Sequence, residues 1–441
     1  MGNSKMKPIK IGLLGLGTVG GGTVSVLSRN ADEIERRIGR DIVISHAAAK
    51  EYNPDIVGLS NVNCVSDDAF AVVNNPELEI IVELFGGKSP ALELVMKAIE
   101  NGKHVVTANK ELIAIHGNEI FSKAQKHGVT VAFEAAVAGG IPIIKSIKEG
   151  LAANQIEWVA GIINGTSNFI LTEMLLKNRD FNDVLIQAQE LGFAEANPAF
   201  DIEGVDAAHK LAILASIAFG IKLQFDKVHI EGITNIEKQD IAYAFELGYK
   251  IKHLGITRKT DRDIELRVHP ALIPQGRLIA NVDGVMNAVL VKGDAVGSTL
   301  FYGAGAGAEP TASAVIADII SVAHALTVDP ANRIPHLAFQ PAATSDFTIK
   351  PIEEVEVGYY LRINAVDKPG VLSDVSNILG DLSISIEAII QKEADEDAIH
   401  VPMIFLTQKI VEKNINEAIK KIEALETVDG KVRRIRVESL S

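Results

Sequence analysis

The sequence predicts an α/β fold, with a doubly wound parallel sheet at the N-terminus, an α+β domain after it and a βαββαβ ferredoxin-like domain at the C-terminus. Hydrophobic residues make up 47% of the 441 residues and aromatic residues only 5%, which suits layers rich in Ala, Val and Ile. Strand-like and helix-like patterns alternate up to about residue 140. The last stretch, 355–441, reads strand, helix, strand, strand, helix, strand.

The charge balance and the apolar stretches argue against several classes of protein. With 43 basic and 57 acidic residues the net charge is −14, so a basic surface for nucleic acid is not expected. The longest apolar stretches, such as 211–221, fall short of the ~20 residues that span a bilayer. The single cysteine, Cys64, cannot form an internal disulfide, and the polar N-terminal lead has no apolar signal core. We therefore expect a cytoplasmic protein that binds neither nucleic acid nor membrane.

The N-terminal region reads as alternating strands and helices. An apolar strand enters a glycine turn and then a helical pattern that carries Val19, Val24 and Leu27. The further strands are predicted at 41–49, 79–85, 103–109 and 129–137, and the helices between the later ones at 90–102 and 118–128. Both of these helices end in a glycine suited to a left-handed cap. The alternation indicates a parallel sheet.

From about residue 140 the pattern changes to longer helices mixed with later strands. The helices are predicted at 141–150, 167–177, 180–191, 204–219 and 238–245, and the strands at 250–259, 263–273 and 288–295. A loop of small residues leads into another helix within 302–320, and we expect that helix to return to the first domain. The stretch 333–354 is rich in proline and polar residues and reads as a linker.

The segment Gly15-Leu16-Gly17-Thr18-Val19-Gly20 matches G-x-G-x-x-G between a strand and a helix. The first glycine permits a tight turn, the second lets the backbone approach a pyrophosphate, and the helix N-terminus offers free amide donors. The alternative is a tight turn without a ligand. The position at the first strand of an alternating pattern favours dinucleotide binding in a Rossmann-type domain, with Gly15, Gly17, Thr18, Val19 and Gly20 as cofactor contacts.

The choice between NAD and NADP depends on the end of the second strand. A carboxylate there would bind the ribose hydroxyls and favour NAD. The strand instead ends in three alanines followed by Lys50, with Glu51 after it. Lys50 can meet a 2′-phosphate, so we expect NADP(H) to be preferred over NAD(H), while Glu51 leaves NAD open.

Lys110 follows the strand at 103–109, at the sheet edge where open α/β sheets bind ligands. A solvated lysine that opens the next helix is the simpler interpretation. Near a nicotinamide, however, a lysine can polarise a carbonyl or hold a carboxylate. We therefore expect a catalytic or cofactor role for Lys110.

Four charged residues surround the start of the helix at 204–219. Asp206 and Lys210 are spaced i,i+4 and share a helix face, and Glu195 and Asp201 lie in the preceding loop. An ordinary surface pair would contribute only ~0.5 kcal/mol. The apolar continuation of the helix predicts burial instead, where charges are costly unless they face one another or a polar cleft. Three carboxylates around a lysine suit an amino-acid substrate, with the lysine moving a proton at the reacting oxygen.

The stretch from Ala188 to Lys210, AQELGFAEANPAFDIEGVDAAHK, resembles the signature segment of homoserine dehydrogenases. Three further blocks also resemble that family: INGTSNFILTEM at 163–174, VVTANKELIA at 105–114 and GAGAGAEPTASAV at 303–315. The resemblance covers residues 9 to 340. It implies NAD(P)-dependent interconversion of L-aspartate 4-semialdehyde and L-homoserine, on the route to threonine, methionine and isoleucine.

The resemblance also implies roles for single residues. Lys210 is implied as proton donor and acceptor, and Lys110 as a second lysine near substrate and nicotinamide. The resemblance implies that Glu195 and Asp206 bind the substrate amino group and that Asp201 supports this binding. The remaining implied cofactor contacts are Gly192, Gly303 and Gly305.

A monovalent cation, usually sodium, is implied by the resemblance of EAAVAGGI to a cation loop of the family. The matching residues are Glu134, Val137, Gly139 and Ile141, mostly through backbone carbonyl groups. Such ligands leave little side-chain trace. Without the resemblance, this stretch would read as an interdomain bend.

The segment INAVDKPGVLSDVSNIL at 363–379 resembles the first strand, loop and helix of an ACT domain, a small-molecule sensing module. The loop with Asp367, Pro369 and Gly370 leads into a helix N-terminus that can take a ligand carboxylate. Threonine is the expected effector. The alternative is a plain ferredoxin-like dimerisation module, and in either case we expect a homodimer or homotetramer.

These interpretations divide the chain into five parts. The predicted limits are 1–140 for dinucleotide binding, 141–304 for substrate binding and dimerisation, 305–335 for a helix returning to the first domain, 336–354 for a linker and 355–441 for the ACT domain. A catalytically silent nucleotide-binding sensor is the alternative function, which the pair Lys110 and Lys210 disfavours. A fused aspartate kinase and dehydrogenase is not expected from the length, and we expect no catalytic part for His209.

Overall fold

The computed structural model of the chain describes residues 7–392 and 400–440. The strands are β1 (Ile9–Leu14), β2 (Ile42–Ala48), β3 (Cys64–Ser66), β4 (Ile80–Glu83), β5 (His104–Thr107), β6 (Val131–Ala132), β7 (Ile156–Ile162), β8 (His229–Ile230), β9 (Tyr249–Lys259), β10 (Asp263–Pro274), β11 (Met286–Gly293), β12 (Gly297–Ala304), β13 (Thr348–Ile349), β14 (Glu356–Val366), β15 (Ile386–Gln391), β16 (His400–Thr407), β17 (Ile410–Val411) and β18 (Val428–Val437). The α-helices are α1 (Thr18–Arg29), α2 (Ala31–Ile38), α3 (Ala69–Asn74), α4 (Ala91–Glu100), α5 (Lys110–Lys126), α6 (Ile143–Lys145), α7 (Gly165–Lys177), α8 (Phe181–Glu190), α9 (Ala199–Ile202), α10 (Val205–Phe219), α11 (Lys238–Glu246), α12 (Ala308–Ala325), α13 (Val371–Asp381) and α14 (Glu412–Glu423).

The chain forms two compact units, each built from three separate stretches. Unit 1 comprises Met1–Gly165, Asp206–Val228 and Val285–Phe347, and unit 2 comprises Thr166–Val205, His229–Gly284 and Thr348–Ser441. The boundary at 347/348 falls inside the predicted linker. The five-part division of the chain stays a prediction.

Unit 1 contains a parallel six-stranded sheet in the order β3-β2-β1-β4-β5-β6. Most side chains of β1 and β4 are fully buried, which is why both strands read as nearly continuous apolar runs. The strand order reverses direction between β1 and β4, and ligands of such sheets bind beyond the carboxyl ends at that point. The predicted Rossmann-type fold is confirmed.

Helix α12 completes this domain, as the sequence predicts for the helix within 302–320. Its apolar residues belong to the same hydrophobic cluster as β1 and α1. A Cβ atom at Gly22 of α1 would lie 2.6 Å from the carbonyl oxygen of Ala308, so the glycine permits the close approach of α1 and α12. A late stretch of sequence therefore closes the core of the N-terminal domain.

The same unit contains an antiparallel sheet in the order β12-β11-β7. It also contains α10, whose residues from Asp206 to Phe219 are all buried. The predicted burial of this helix is confirmed. Its first turns therefore place charged side chains inside the protein.

Unit 2 contains a mixed sheet in the order β9-β10-β18-β14-β16-β15. The strands and helices from β14 to β18 follow the predicted βαββαβ order, with the short strand β17 added. Strand β16 is described from His400 onward, because residues 393–399 lie outside the described part of the chain. Strand β18 pairs in parallel with β10, so the C-terminal elements share one sheet with β9 and β10. The ferredoxin-like prediction is confirmed.

Among the local predictions that differ from the structure, the helix predicted over 118–128 begins earlier, as α5 at Lys110, and two others lie near residue 140. The strand predicted over 129–137 ends at Ala132, because a 3₁₀ turn occupies Glu134–Ala136. The helix predicted over 141–150 begins as α6 and continues as a π-turn at Ser146–Gly150. Both differences lie around the predicted cation loop, where hydrogen bonds to the Glu134 side chain fix the backbone.

Candidate active site

Asp206 and Lys210 form a buried ion pair on the first turns of α10. The Lys210 Nζ atom lies 2.7 Å from Asp206 Oδ2 and donates a second hydrogen bond of 2.8 Å to the carbonyl oxygen of Ile163, which follows β7. The i,i+4 spacing places both side chains on one helix face, as predicted. The lysine is therefore held at a fixed position by one charged and one neutral acceptor.

Lys110 reaches the same carboxylate from a different element. It is the first residue of α5, and its Nζ lies 2.8 Å from Asp206 Oδ1. Its side chain is 36% exposed, against 10% for Lys210. The structure thus brings together three of the residues predicted from the sequence, and Lys110 is the more accessible of the two lysines.

The pKa of Asp206 is lowered by this arrangement. Burial alone would raise the pKa of the carboxyl group, but the ammonium groups of Lys210 and Lys110 outweigh burial and hold it well below its ordinary range. The carboxylate stays ionised throughout the physiological pH range. It therefore balances one of the two positive charges at all times.

Asn164 is a member of this cluster that the sequence analysis did not single out. Its Nδ2 donates a 2.9 Å hydrogen bond to Asp206 Oδ2, and the residue is buried. The block INGTSNFILTEM contains it, but a single asparagine after a strand carries no chemical signal of its own. Only the fold shows that it shares an acceptor with Lys210.

Glycine is needed for a different structural reason at each position of the predicted cofactor loop. Gly15 has a φ of 100°, and its Cβ would lie 3.0 Å from the carbonyl oxygen of Leu84. A Cβ at Gly20 would lie 2.0 Å from the carbonyl oxygen of Gly15, whereas a Cβ at Gly17 would meet nothing within 4 Å. Gly15 and Gly20 are therefore required by the turn itself. Gly17 keeps open the space in which a ligand would contact the backbone.

A cavity of about 630 Å³ lies beside this loop. Gly15 and Gly17 line it together with Lys50 and Glu51, both from the segment that follows β2. Asp67 and Asp68 add two carboxylates, of which Asp68 caps α3 by accepting the amide hydrogen of Ala71. The cavity thus brings one lysine and several carboxylates together beside the glycine loop.

Thr18 and Val19 form the first turn of α1, where free amide groups face the loop. Gly303 lies in β12, and Gly305 follows that strand. A Cβ at Gly305 would meet the side chain of Asn287 at 2.0 Å. Close packing is therefore sufficient to explain Gly305, whatever it contacts in a complex.

Three of the predicted substrate- and cofactor-binding residues belong to unit 2. Gly192 has a φ of 74° just after α8, and Glu195 is exposed in the following loop. Asp201 lies in α9 and accepts a 3.3 Å hydrogen bond from the Thr166 hydroxyl, while its carbonyl oxygen accepts one of 3.1 Å from Ser167. Asp201 is thus fixed to the start of α7.

The predicted cation loop is held by a buried acid. Glu134 Oε1 accepts the amide hydrogen of Ile144 at 2.9 Å and Oε2 that of Lys145 at 2.8 Å, so the carboxylate caps α6. Burial and the nearby Asp318 raise the pKa of Glu134 to about 7. The loop then reverses through Ala138 and Gly139, with φ values of 55° and 45°.

The other two predicted ligands close this loop. The carbonyl oxygen of Ile141 accepts a hydrogen bond of 2.7 Å from the amide of Ile143. The amide of Val137 donates a hydrogen bond of 3.3 Å to the carbonyl oxygen of Glu134. Within residues 7–392 and 400–440, no group of three or more His, Cys, Asp and Glu side chains is placed to hold a metal ion. Main-chain carbonyl oxygens are therefore the donors that this loop offers to a hard cation.

The predicted effector loop is exposed. Asp367, Pro369 and Gly370 connect β14 to α13, and Gly370 has a φ of 100° directly before the helix.

His209 is buried against Phe225, and burial lowers the pKa of its imidazole to about 4. None of the described helices combines the length and hydropathy that crossing a bilayer requires.

Family models match most of the chain. The model described as homoserine dehydrogenase matches residues 142–320, the model of the homoserine dehydrogenase NAD binding domain matches 15–134, and the ACT domain model matches 359–424. A homoserine dehydrogenase from Pseudomonas aeruginosa is 63% identical over 436 residues, covering 99% of this chain and 100% of the relative. One from Neisseria gonorrhoeae is 55% identical over 441 residues, with 99% and 100% covered.

Solved structures show the same similarity. The crystal structure of a homoserine dehydrogenase from Thiobacillus denitrificans has 61% sequence identity and a TM-score of 0.93, covering 98% of this chain and 99% of that one. A homoserine dehydrogenase structure from S. aureus has 32% identity and a TM-score of 0.76, again with 98% and 99% covered.

Proposed function

Because the chain belongs to the homoserine dehydrogenase family, an NAD(P)-dependent class of oxidoreductases, we propose that it interconverts L-homoserine and L-aspartate 4-semialdehyde. The reaction would serve the synthesis of threonine, methionine and isoleucine in the cytoplasm. The observation that supports this most is the pairing of Lys210 and Lys110 with the buried carboxylate of Asp206. Such a cluster is expensive to bury, and a nucleotide-binding sensor would gain nothing from a second lysine.

Lys210 would move the proton of this reaction. When bound, the nicotinamide cofactor supplies or takes the hydride at the terminal carbon of the substrate. In the reducing direction the Lys210 ammonium group donates a proton to the aldehyde oxygen, and in the oxidising direction its amine takes the proton from the hydroxyl. The carbonyl oxygen of Ile163 and the carboxylate of Asp206 orient Nζ for this transfer.

Lys110 would stabilise the negative charge that develops on the substrate oxygen. Its ammonium group meets Asp206 at 2.8 Å and is the more exposed of the two lysines. A second positive charge near the reacting oxygen favours the alkoxide-like transition state.

The substrate amino group would bind Glu195 and Asp206, with Asp201 in support. Carboxylates are the acceptors that an ammonium group requires in a cleft. Asp206 already meets two lysines, so Glu195, which is exposed, has the greater capacity for a new partner. Replacement of Glu195 by Gln should therefore raise KM for homoserine more than it lowers kcat.

The cofactor would be NADP(H) in preference to NAD(H). Lys50 lines the cavity beside the glycine loop and can pair with a 2′-phosphate. Gly192, Gly303 and Gly305 would be further contacts of the bound cofactor. Glu51, in the same cavity, is the residue that would serve NAD instead.

A monovalent cation, sodium in our proposal, would bind the loop that contains Glu134, Val137, Gly139 and Ile141. Both carboxylate oxygens of Glu134 already accept amide hydrogens, so the main-chain carbonyl oxygens of the loop would be the donors to the ion. Donors of this kind suit a hard monovalent cation. The cation would fix the reversal at Ala138 and Gly139. Thermal unfolding in sodium, compared with tetramethylammonium at equal ionic strength, measures this binding without turnover.

The C-terminal ACT domain would bind threonine as a feedback inhibitor. Asp367, Pro369 and Gly370 would form the effector loop, with the amide groups at the start of α13 facing the ligand carboxylate. Paired ACT domains would join subunits into a homodimer or homotetramer. Asp367→Ala should raise the threonine concentration for half-inhibition, and Asp381→Ala, an exposed acid at the other end of α13, is the matched control.

The direct test is absorbance of the reduced nicotinamide band with L-homoserine and each oxidised cofactor, repeated with L-threonine. Reduction of the cofactor that threonine suppresses supports both the enzyme and the regulatory assignment. If neither cofactor is reduced at any pH, with sodium or potassium present, the proposal is wrong and a nucleotide-binding sensor replaces it.

A further inference from the structure

Glu83 is a buried acid that no role in the proposed reaction accounts for. It is the last residue of β4, at the carboxyl edge of the parallel sheet, and it is 0% exposed. Its Oε2 accepts a hydrogen bond of 2.5 Å from the Thr107 hydroxyl, and its Oε1 accepts one of 2.8 Å from the amide of Phe85. Both oxygens therefore contact groups at the cofactor edge of the sheet.

A chain of hydrogen bonds leads from Glu83 to α5, the helix that begins at Lys110. Thr107 donates its hydroxyl hydrogen to Glu83 and accepts the amide hydrogen of Asn109 at 2.9 Å. Asn109 caps α5, since its Oδ1 accepts the amide hydrogen of Leu112 at 3.0 Å. The next residue is Lys110, whose Nζ meets Asp206. The direction of the Thr107 hydroxyl, and hence the start of α5, depends on an acceptor at Glu83.

A second connection ties the same cap to the cofactor cavity. Asn109 Nδ2 donates a 2.7 Å hydrogen bond to the carbonyl oxygen of Gly87. Glu83 itself holds the amide of Phe85, and Phe85 and Gly86 line the cavity beside the glycine loop. One carboxylate thus organises both a wall of the cavity and the helix that presents Lys110.

The burial of this acid has a cost. Desolvation is the main reason that the pKa of Glu83 is raised to about 7, since the hydrogen bonds from Thr107, Phe85 and Asn109 only partly offset it. Among the described residues, no cationic side chain donates a hydrogen bond to Glu83, and a buried acid paired in this way is costly. Such costs are typical of groups retained for function.

We propose that Glu83 is a positioning residue, which holds Lys110 against Asp206 through Thr107 and Asn109. The proposal rests on the function proposed above, because it gives Lys110 its place in that reaction. It predicts that the hydroxyl of Thr107, a fully buried group, matters for turnover through its hydrogen bonds to Glu83 and Asn109. The effect on kcat should exceed the effect on cofactor binding.

The first test replaces Thr107 by Val, which keeps the shape and removes the hydroxyl. We expect kcat to fall by about 10-fold or more, since small displacements of a catalytic group are costly. The Kd of the oxidised cofactor should stay within about twofold, because the Glu83 contact to Phe85 remains. Thr107→Ser, which retains the hydroxyl, should recover most of kcat.

Thr257→Val is the matched control. Thr257 is also a fully buried strand residue whose hydroxyl donates to one acceptor, the carbonyl oxygen of Glu265 at 2.8 Å, and it has no contact with this chain of hydrogen bonds. Its replacement should lower the melting temperature without the same loss of kcat. Equal losses of kcat in the two valine variants would overturn the proposal.

A double variant tests whether the two residues act as one. Glu83→Gln keeps an acceptor for Phe85 but presents an amide donor to Thr107, so the hydroxyl loses its acceptor. If Glu83 acts through Thr107, Glu83→Gln with Thr107→Val should lose no more kcat than the more damaging single variant. Multiplicative losses would contradict the shared path.

A crystal structure of Thr107→Val separates this proposal from the proposed function. The expected result is an Nζ of Lys110 displaced from Asp206, whether or not the wild-type protein oxidises homoserine. An unchanged contact of 2.8 Å would overturn the positioning role alone. Absence of wild-type turnover would overturn the proposed function and leave the structural test in force.

Discussion

Asp206 and Lys210 meet across one turn of α10, with the Lys210 Nζ atom 2.7 Å from Asp206 Oδ2. Their side chains are 3% and 10% exposed, so solvent screens the pair little. A surface pair with the same spacing would have contributed almost nothing to stability. In the interior the pair fixes the position of an amine that the proposed reaction uses as proton donor and acceptor.

Replacing Lys210 by Ala should abolish turnover and leave the fold in place. Removal of a general acid and base lowers kcat by about 10²- to 10⁴-fold. Asp206 keeps Lys110 as partner, so the carboxylate is not left alone in the interior. Cofactor binding, measured by fluorescence of the reduced nicotinamide, should stay within a few-fold.

Lys177→Ala provides the control for this experiment, because Lys177 also pairs with an acid at i,i+4, Glu173, but is 52% exposed. Its loss should change kcat by less than about twofold. Full activity of Lys210→Ala would refute proton transfer by this residue.

Alanine at Gly20 and at Gly17 should have opposite effects. At Gly20 the new Cβ meets the carbonyl oxygen of Gly15 at 2.0 Å, so the turn must move, at a cost of about 1–3 kcal/mol of unfolding free energy. Gly17 has a φ of −70° and open space around its Cβ, so Gly17→Ala should unfold at nearly the wild-type temperature. It should instead raise the cofactor Kd by about tenfold, because the methyl group occupies the approach to the pyrophosphate.

Thermal melts and cofactor titrations of both variants distinguish the two cases. Wild-type cofactor affinity in a folded Gly17→Ala protein would argue against pyrophosphate binding at this loop.

Lys50→Ala should reduce the preference for NADP over NAD. Loss of a charge-assisted contact to the 2′-phosphate should lower kcat/KM for NADP by about tenfold while leaving that for NAD nearly unchanged. Lys50→Arg, which keeps the charge, should retain most of the preference. If Glu51→Gln rather than Lys50→Ala changes the ratio, the adenosine ribose contacts the carboxylate and NAD is the natural cofactor.

His336 should make the protein less stable as the pH falls. Its ring stacks on Phe121 and its Nε2 accepts the amide hydrogen of Val131 at 3.0 Å, which requires the neutral form. Burial, together with the charge of Lys148, lowers the pKa of His336 to about 3. The unfolded chain binds this proton near pH 6.5 and the folded chain does not, so stability is retained above that pH and is lost progressively below it.

Between pH 6.5 and pH 5 this histidine should account for about 2 kcal/mol of lost unfolding free energy. His336→Gln, whose side-chain oxygen can accept the same amide, should lose less stability over that interval. Denaturant unfolding at both pH values measures the difference, with His127→Gln, an exposed histidine, as control. An identical pH dependence in wild type and His336→Gln would show that His336 is not responsible.

The sequence predicted the fold well where pattern and chemistry coincide. Apolar runs with glycine caps predicted the parallel sheet, and the i,i+4 spacing of Asp206 and Lys210 predicted their shared face. The family resemblance, the Rossmann-type sheet and the ACT domain are confirmed. The roles of the single site residues, the cation and the effector stay predictions.

Other features could not be read from the sequence, because they depend on contacts between distant stretches. Glu83 ends an apolar strand like many acids that face solvent, and only the sheet shows that Thr107 covers it. Asn164 becomes informative once Lys210 is placed beside the end of β7. The strand predicted over 129–137 is longer than the observed β6, because the side chain of Glu134 caps α6 and ends the extended backbone. This interaction has no local signal in the sequence.

The segmented make-up of unit 1 has a consequence for synthesis on the ribosome. The hydrophobic cluster around β1 includes residues of α12 as late as Ala323, so most of the chain must be made before that core can close. Until then the apolar side of the nascent sheet that α12 will cover stays open to water and to other chains. The N-terminal domain thus departs from the usual order in which the first domain folds before the next one emerges. Slow translation through the middle of the mRNA should lengthen the time for which this apolar surface is exposed and should increase aggregation of the nascent chain.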